Sequence, residues 1–337
     1  MMIRFVFALA ISTVIAASVP ASANLTITPT FASSITSDAN ATAIEATIDA
    51  AIVVYENLFT NPIVVPITFQ EGGGLGSSSF NLYDISYSAF STALYNNAHT
   101  TMNATQLAAV AANPISAFNP VTGTNDILMK CANIDALFGA GSSLCTSAGT
   151  ITLNTSLTTP GSPGSTHTYS LLSVVEHEID EILGLGSTLG LALSGNTCGI
   201  GPSTGPCTNV PSPEDLFRYA SDGTRSFTAA NANAYLSVNG TADLAQFNNT
   251  NNGADYGDWK TGAASPQVQD AFVGSGTGPT LGPNEITALT LIGFNVPEPG
   301  TAAVLGAGIM GLLSLRRRAS LTPRSLPRLI QAARAAT

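Results

Sequence analysis

Within Leu171-Leu-Ser-Val-Val-Glu-His-Glu-Ile-Asp-Glu-Ile-Leu-Gly184, three residues have the types and spacing to do chemistry: His177, Glu178 and Glu181. On a helix, residues four apart share a face. His177 and Glu181 would therefore turn an imidazole and a carboxylate toward one point, a pairing that holds divalent ions such as zinc. Glu178, beside them, is placed to act as a general base on water held by that ion. Glu176, Glu178, Asp180 and Glu181 put four carboxylates within six residues, and the nearest basic residues in sequence are Lys130 and Arg218. The cluster has no local countercharge.

A helix is predicted over Tyr169–Leu185. The segment has no Pro and no Gly before Gly184, Ser165 or Thr166 can cap its start, and Gly184 or Gly186 can end it. At about 100° per residue, Leu171, Leu172, Val174, Val175, Ile179, Ile182, Leu183 and Leu185 fall on one half of the wheel. Ser173, Glu176, His177 and Asp180 fall on the other, with Glu181 one turn on from His177. Glu178 projects into the apolar arc between Val174, Leu185 and Leu171, where an ionised carboxylate is costly unless something pairs with it. Two readings compete: a solvated acidic face with a satisfied histidine, and a metal site. A carboxylate on the apolar side favours the second.

His177-Glu178-Ile179-Asp180-Glu181-Ile182-Leu183-Gly184 resembles the active-site helix of the zincin metalloproteases, and more narrowly of the metzincins, whose pattern is H-E-x-x-H-x-x-G-x-x-H. His177, Glu178 and Gly184 match. Glu181 replaces the second histidine, giving a variant HExxE in which a carboxylate is the ligand. Ser187 stands where the third histidine would be, and a neutral hydroxyl is a poor zinc ligand. A third ligand therefore comes from elsewhere or is missing; His99, His167, Glu214 and Asp215 are candidates by residue type alone. No methionine lies between Met129 and Met310, so the methionine turn of metzincins is also absent.

The resemblance implies an α+β, zincin-like (metzincin-like) domain with a mixed sheet and an active-site helix. It further implies Zn²⁺ as cofactor and hydrolysis of peptide bonds in a peptide or protein substrate, with Glu178 as the catalytic base. A carboxylate ligand lowers the positive charge of the site relative to a histidine, so a pH optimum above neutral is expected. The alternative is a catalytically inactive zincin-like protein, a structural or binding component of the cell envelope or exopolysaccharide matrix.

The elements that must position these residues are written less sharply. Leu25–Thr28 is predicted as a strand, Thr42–Phe59 as a helix with Ile44, Ile48, Ile52, Tyr55 and Phe59 at helical spacing, and Ile63–Phe69 as a strand after Pro62. A helix followed directly by an extended segment resembles the start of zincin catalytic domains. Gly72–Ser79 lacks the lysine of a phosphate loop and is expected to be a flexible surface loop. Ser88–Asn97 and Thr105–Ala112 are predicted helices. Asp126–Lys130 and Thr150–Leu157 are predicted strands, with a Cys131–Cys145 loop between them.

In zincins the strand before the active-site helix lies at the sheet edge and pairs with extended substrate; Thr150–Asn154 is in that place, and an ordinary sheet strand is the equal alternative. The breaker cluster Thr158–Ser165 launches the helix, and His167 just before it reads more readily as a loop histidine than a ligand. Downstream, Pro211–Phe227 matches the segment beneath the zinc in metzincins. Arg218 is there either a partner for an acid of the helix or a salt-bridge residue elsewhere, and Tyr219 either an oxyanion donor or a core residue. Tyr235–Gln246 and Asp255–Trp259 are short β or turn segments that could wall a cleft. Leu281–Phe294, with Ile286, Leu289 and Ile292 in a stripe, resembles a closing helix.

The ends of the 337-residue chain carry export signals. Met1–Ala23 has Arg4, an apolar run Phe5–Ala17 and Ala21-Ser22-Ala23, which reads as a cleaved secretory signal recognised by the Sec translocon. At the other end, Val296-Pro297-Glu298-Pro299-Gly300 precedes the apolar stretch 301–315 and Arg316-Arg317-Arg318. Fifteen residues are short for a bilayer span, which takes about 17–25, and the arginines fix the cytoplasmic side. The arrangement resembles the PEP-CTERM sorting signal of Gram-negative bacteria, which implies a transient inner-membrane anchor, cleavage by an exosortase near Pro297-Glu298-Pro299, and a final place in the periplasm or at the outer cell surface or extracellular matrix. The chain thus divides into 1–23, a body of 24–295, the signal of 296–318 and a basic tail of 319–337.

The body holds 20 Asp or Glu against Lys130, Arg218, Arg225 and Lys260, a net charge near −16 that excludes nucleic acid as a partner. Its carboxylates also suit Ca²⁺, although neither a D-x-[DN]-x-[DN]-G loop nor a glycine-aspartate repeat is present. Four cysteines in an exported chain imply two disulfides, with Cys131–Cys145 and Cys198–Cys207 the simplest of three connectivities. Their spacings lack any C-x-x-C, which disfavours a cysteine zinc site.

Overall fold

The computed structural model describes residues 24–140, 148–161, 165–190, 209–231, 233–262 and 265–297. The N-terminal signal, the apolar stretch 301–315, Glu298, Pro299, and Cys145, Cys198 and Cys207 lie outside the described residues. The two expected disulfides therefore fall outside them as well; Cys131 itself is buried, and no described cysteine is free.

The main sheet grows from alternation. In β2 (Val64–Glu71), Val65, Ile67 and Phe69 are buried while their neighbours are more exposed, the period-2 pattern of a strand with one face on a core. It pairs in parallel with β1 (Thr26–Phe31), Ile27 opposite Val65 and Phe31 opposite Phe69. On its other side it pairs, again in parallel, with β6 (Gly149–Leu153), Phe69 opposite Ile151. The fourth strand, β3 (Gly76–Ser79), runs antiparallel to β6 with Ser78 opposite Ile151, so the order is β1-β2-β6-β3.

Two expectations are corrected here. Thr150–Asn154 is not the sheet edge, because β6 is flanked on both sides. The edge strand is β3, built from the second half of the Gly72–Ser79 stretch expected to be a loop. Glycine and serine depress strand propensity, so the segment carries no strand signal of its own; its pairing with β6 makes it one.

Helices α1 (Ser33–Thr36) and α2 (Ala41–Leu58) follow β1. Ile44, Thr47, Ile48, Ala51, Ile52 and Tyr55 are buried along one face of α2 at helical spacing. Strand β4 (Leu82–Ser86) pairs antiparallel with β5 (Asp126–Lys130); between them come α3 (Tyr87–Thr101) and α4 (Ala104–Ala112). The expected loop after Cys131 begins instead as helix α5 (Cys131–Phe138). A short parallel pair, β7 (Thr158–Thr159) with β8 (Tyr169–Ser170), leads into α6 (Leu171–Leu183).

Beyond α6 come a 3-10 turn (Glu214–Phe217), the antiparallel strands β9 (Arg218–Ala220), β10 (Ala234–Leu236) and β11 (Ala245–Gln246), and α7 (Pro283–Leu291). The architecture is mixed α+β. Helix α6 packs on β3, β6, α2, α5 and α7, so the candidate residues sit in its middle, between the sheet and the C-terminal elements. One folded unit runs to Val296.

Candidate metal centre

Helix α6 starts two residues later than Tyr169. Ser170 is its cap, with its hydroxyl accepting from Ser173 N at 3.2 Å, and Gly184 closes it. Ser165 is committed elsewhere, its backbone N–H donating to Thr168 Oγ1. The helix is also buried nearly all round: Ser173, Glu176 and Asp180, placed by the helical wheel on the polar half, are 3%, 1% and 0% exposed. That half meets protein, not water. Ser173 Oγ donates to Pro279 O, Leu281 N donates to Glu176 Oε2 at 2.9 Å, and the Tyr55 hydroxyl donates to Asp180 Oδ1 at 2.8 Å and Glu176 O at 2.7 Å. Gln269 Nε2 donates to the other Asp180 oxygen and to His177 O.

The remaining sector of α6 opens on a cleft of about 690 Å³ whose lining includes His177, Glu178 and Glu181, the β3 residues Gly76, Ser77 and Ser78, and Asp255, Asp258 and Asp270. His177 Nε2 lies 3.8 Å from Glu181 Oε1 and 3.8 Å from Asp258 Oδ1. Among the described residues these three form the one group whose donor atoms all fall within 4.8 Å of one another. Asp258 is a ligand-type residue that the sequence reading missed; its segment was expected only to wall a cleft. One signal was available: Asp255-Tyr-Gly-Asp-Trp259 sets two carboxylates beside the chain's single tryptophan, a natural anchor.

That anchor is what aims Asp258. Trp259 is buried, its Nε1 donates to Glu285 Oε1 at 3.2 Å, and its backbone exchanges hydrogen bonds with Gln269 O and Ala271 N. Gly257 lets the segment lie directly on the turn after α6, since a Cβ there would stand 2.5 Å from the backbone N of Ser187. Asp258 Oδ2 accepts from Asp255 N at 3.1 Å, which leaves Oδ1 for the cleft. On the opposite wall Gly76 allows β3 to approach α6, because a Cβ at that position would collide with Glu178 Oε1 and Val174 Cγ1.

The three donors could hold a divalent ion such as zinc. Ligand distances of about 2.0–2.2 Å in a tetrahedron put donor atoms roughly 3.4 Å apart, a few tenths of an ångström closer than the 3.8 Å separations here. His177 Nδ1 sits 2.9 Å from Val268 O, which holds the ring as the Nδ1–H tautomer and turns the Nε2 lone pair to the cleft. His177, Glu181 and Asp258 side chains are 19%, 15% and 7% exposed, so the donors are reachable from the cleft yet largely dry. One neutral imidazole and two carboxylates carry two negative charges, matching a divalent cation.

Without a cation the cluster strains electrostatically. Burial first, then the neighbouring Glu181 charge, pushes Glu178 up to about 9. Burial, Asp255 and Glu181 hold Asp258 well above the usual carboxylate range. For His177 burial works downward, but Glu181 and Glu178 outweigh it and the imidazole is raised. Glu178 Oε2 is buried with no hydrogen-bond partner. Lys130 forms no ion pair with the group, although its charge lowers Asp258 in part: its Nζ donates to the carbonyls of Glu181, at 2.8 Å, and of Leu185, just past the helix, and stacks on Phe80. It caps the negative end of the helix dipole.

The four earlier candidates for a third ligand are engaged elsewhere. His99 is exposed and stacked on Tyr95, and His167 is exposed beside Thr166. Glu214 accepts from Gly186 N, and Asp215 accepts from Ser187 Oγ, Thr188 N and Ser212 N, so both hold the turn that follows α6. Neither alternative for Arg218 holds, since no carboxylate pairs with it among the described residues; its guanidinium lies 4.4 Å over Phe247 and donates to Tyr256 O. Tyr219 is buried against Arg225 and is not part of the cleft lining, the core role of its two alternatives.

The body ends in a clamp. Asn295 N donates to Asn61 Oδ1 at 2.6 Å, and Asn295 Oδ1 accepts from Asn97 and Gln106 at 2.9 Å each. From that residue onward, 295–318 match a family model described as the PEP-CTERM protein-sorting motif. The chain carries a PEP-CTERM signal. It is thus marked as an exported protein, sorted by way of the membrane and processed by an exosortase. The PEP-CTERM match covers Pro297, Glu298 and Pro299, the expected sorting residues, and begins where the fold is tied off. Among the described residues no helix is long and apolar enough to cross a membrane. No curated protein and no solved structure matches the chain.

Proposed function

We propose that this PEP-CTERM protein is a zinc-dependent peptidase of zincin-like fold, acting in the periplasm or at the outer surface of a Gram-negative cell after Sec-dependent export. The observation that carries the reading is Asp258, which supplies the third donor that the HExxE helix lacks. His177, Glu181 and Asp258 would hold the ion, and the cleft side of the group stays open for substrate, the layout of a catalytic zinc centre rather than a closed structural one. Bound there, zinc would supply Lewis acidity, polarising the scissile carbonyl and acidifying the attacking water.

The chain's own residues do the rest. Glu178 takes a proton from the attacking water and returns it to the leaving amine; its place against Gly76 and Val174 holds the carboxylate at the cleft wall. The free edge of β3 offers backbone donors and acceptors to an extended peptide, the role first assigned to Thr150–Asn154. The other reading, an inactive component of the envelope or matrix, drew its strength from a missing third ligand, and Asp258 weakens it.

The test is zinc content of the purified protein together with casein hydrolysis by wild type and Glu178→Gln. One zinc per chain with activity reduced on the order of 10²–10⁴-fold in the variant is expected. A folded protein that takes up no zinc ends the proposal, whereas stoichiometric zinc with no hydrolysis supports the inactive reading.

A further inference from the structure

We propose that Ser78 is a positioning residue for Glu181, fixing which carboxylate oxygen faces the metal. The inference rests on the zinc reading above and adds to it a residue outside the motif. Ser78 Oγ donates to Glu181 Oε2 at 2.5 Å, while Glu181 Oε1 is the oxygen turned to His177 Nε2. A glutamate in a histidine's place brings a longer, freely rotating arm and two equivalent oxygens. Left alone, such a carboxylate alternates between one-oxygen and two-oxygen ligation, and in the second mode it takes the position a substrate needs. A hydrogen bond to Oε2 removes that freedom.

The donor is itself firmly placed. Ser78 lies opposite Ile151 in the β3–β6 ladder, and Ile151 is fully buried. Along β3 the exposure alternates, Ser77 and Ser79 out and Ser78 half-buried, so among its three consecutive serines the ladder turns this one toward α6. Gly76, two residues earlier on the same face, permits the close approach that brings the hydroxyl into reach. Partners that orient first ligands commonly account for 10–100-fold in metal affinity.

The experiment measures zinc affinity of the full chain by competition with a chromophoric chelator. Ser78→Thr keeps the hydroxyl, Ser78→Val replaces it with a methyl of the same shape and favours strand, and Ser78→Ala removes it. Ser79→Ala serves as the control on the opposite face. Zinc affinity is expected to fall about 10–100-fold in Ser78→Val and Ser78→Ala, and to stay close to wild type in Ser78→Thr and Ser79→Ala. Without metal the Val form should melt somewhat below the Thr form, because it loses the hydrogen bond to Glu181 Oε2, and its zinc-induced rise should be smaller as well. Equal zinc affinity in the Thr and Val forms overturns the assignment even if Ser78→Ala fails to fold. Wild type that binds zinc while Ser78→Val binds as tightly removes this inference alone; wild type that binds none removes the peptidase reading with it.

Discussion

Two sets of acids on one helix meet opposite fates. On the side of α6 facing α2 and the C-terminal loop, Glu176 and Asp180 are buried and supplied with donors: Leu281 N for one, the Tyr55 hydroxyl and Gln269 for the other. On the cleft side, His177 Nε2 faces carboxylate oxygens 3.8 Å away, beyond hydrogen-bond reach, and Glu178 Oε2 has no partner. Acidity is common to both sides. What separates the two sides of this helix is whether the protein has already satisfied the carboxylates it buries, since burying a charge without a partner is costly.

The largest effect should come from removing the donor that distinguishes the cleft side. Asp258→Asn is expected to lower zinc affinity by more than the roughly 10–100-fold that outer partners account for, whereas Asp180→Asn leaves it nearly unchanged. Chelator competition on both variants measures the difference, and equal losses would erase the distinction between the two sides.

Next in size is a pH effect on stability. Burial, opposed by the Leu281 hydrogen bond, raises Glu176 to about 7, and burial raises Asp270 to about 6. A carboxyl raised in the folded state contributes stability that is fully present below its unfolded value, near 4, and lost as pH rises through its folded value. The metal-free protein should therefore melt at least about 4 °C lower at pH 8 than at pH 5. Zinc competes with protons for the cleft donors, so the zinc-induced rise in melting temperature should instead grow with pH. Melting curves in chelator and in zinc, across that range, check both signs; a metal-free profile that rises with pH contradicts them.

The smallest effect separates the sides from the other direction. Tyr55→Phe deletes the hydroxyl that donates to Glu176 O and Asp180 Oδ1, and is expected to cost about 1–3 kcal/mol of stability with zinc affinity unchanged. Denaturant titration gives the first quantity and chelator competition the second. A loss of zinc binding as large as that of Asp258→Asn would show the buried network to be part of the site.

Helices α2 and α6 and strand β2 were legible because their apolar residues repeat at the period of the element that buries them. Periodicity says which residues point the same way but not what covers them. Glu176 and Asp180 accordingly looked like an open face, and Tyr55, Gln269 and Leu281, distant in sequence, close over it. The edge strand was illegible for a related reason: Gly76–Ser79 has no apolar alternation, and its partner β6 defines it. Asp258 could not be selected among the carboxylates of the body, since nothing local ties it to His177; the link runs through Trp259, Gln269 and the Val268 carbonyl.

By itself, the sequence determined the shared helical face of His177 and Glu181 with Glu178 beside them, the helix beneath them and the sorting signal at 295–318, because each is written in residues adjacent along the chain or one helical turn apart. Only the tertiary structure decided the third donor, the edge strand and the split between satisfied and unsatisfied acids. Each of those is a meeting of segments far apart in sequence, and the distance between side chains, not their order, sets its energy.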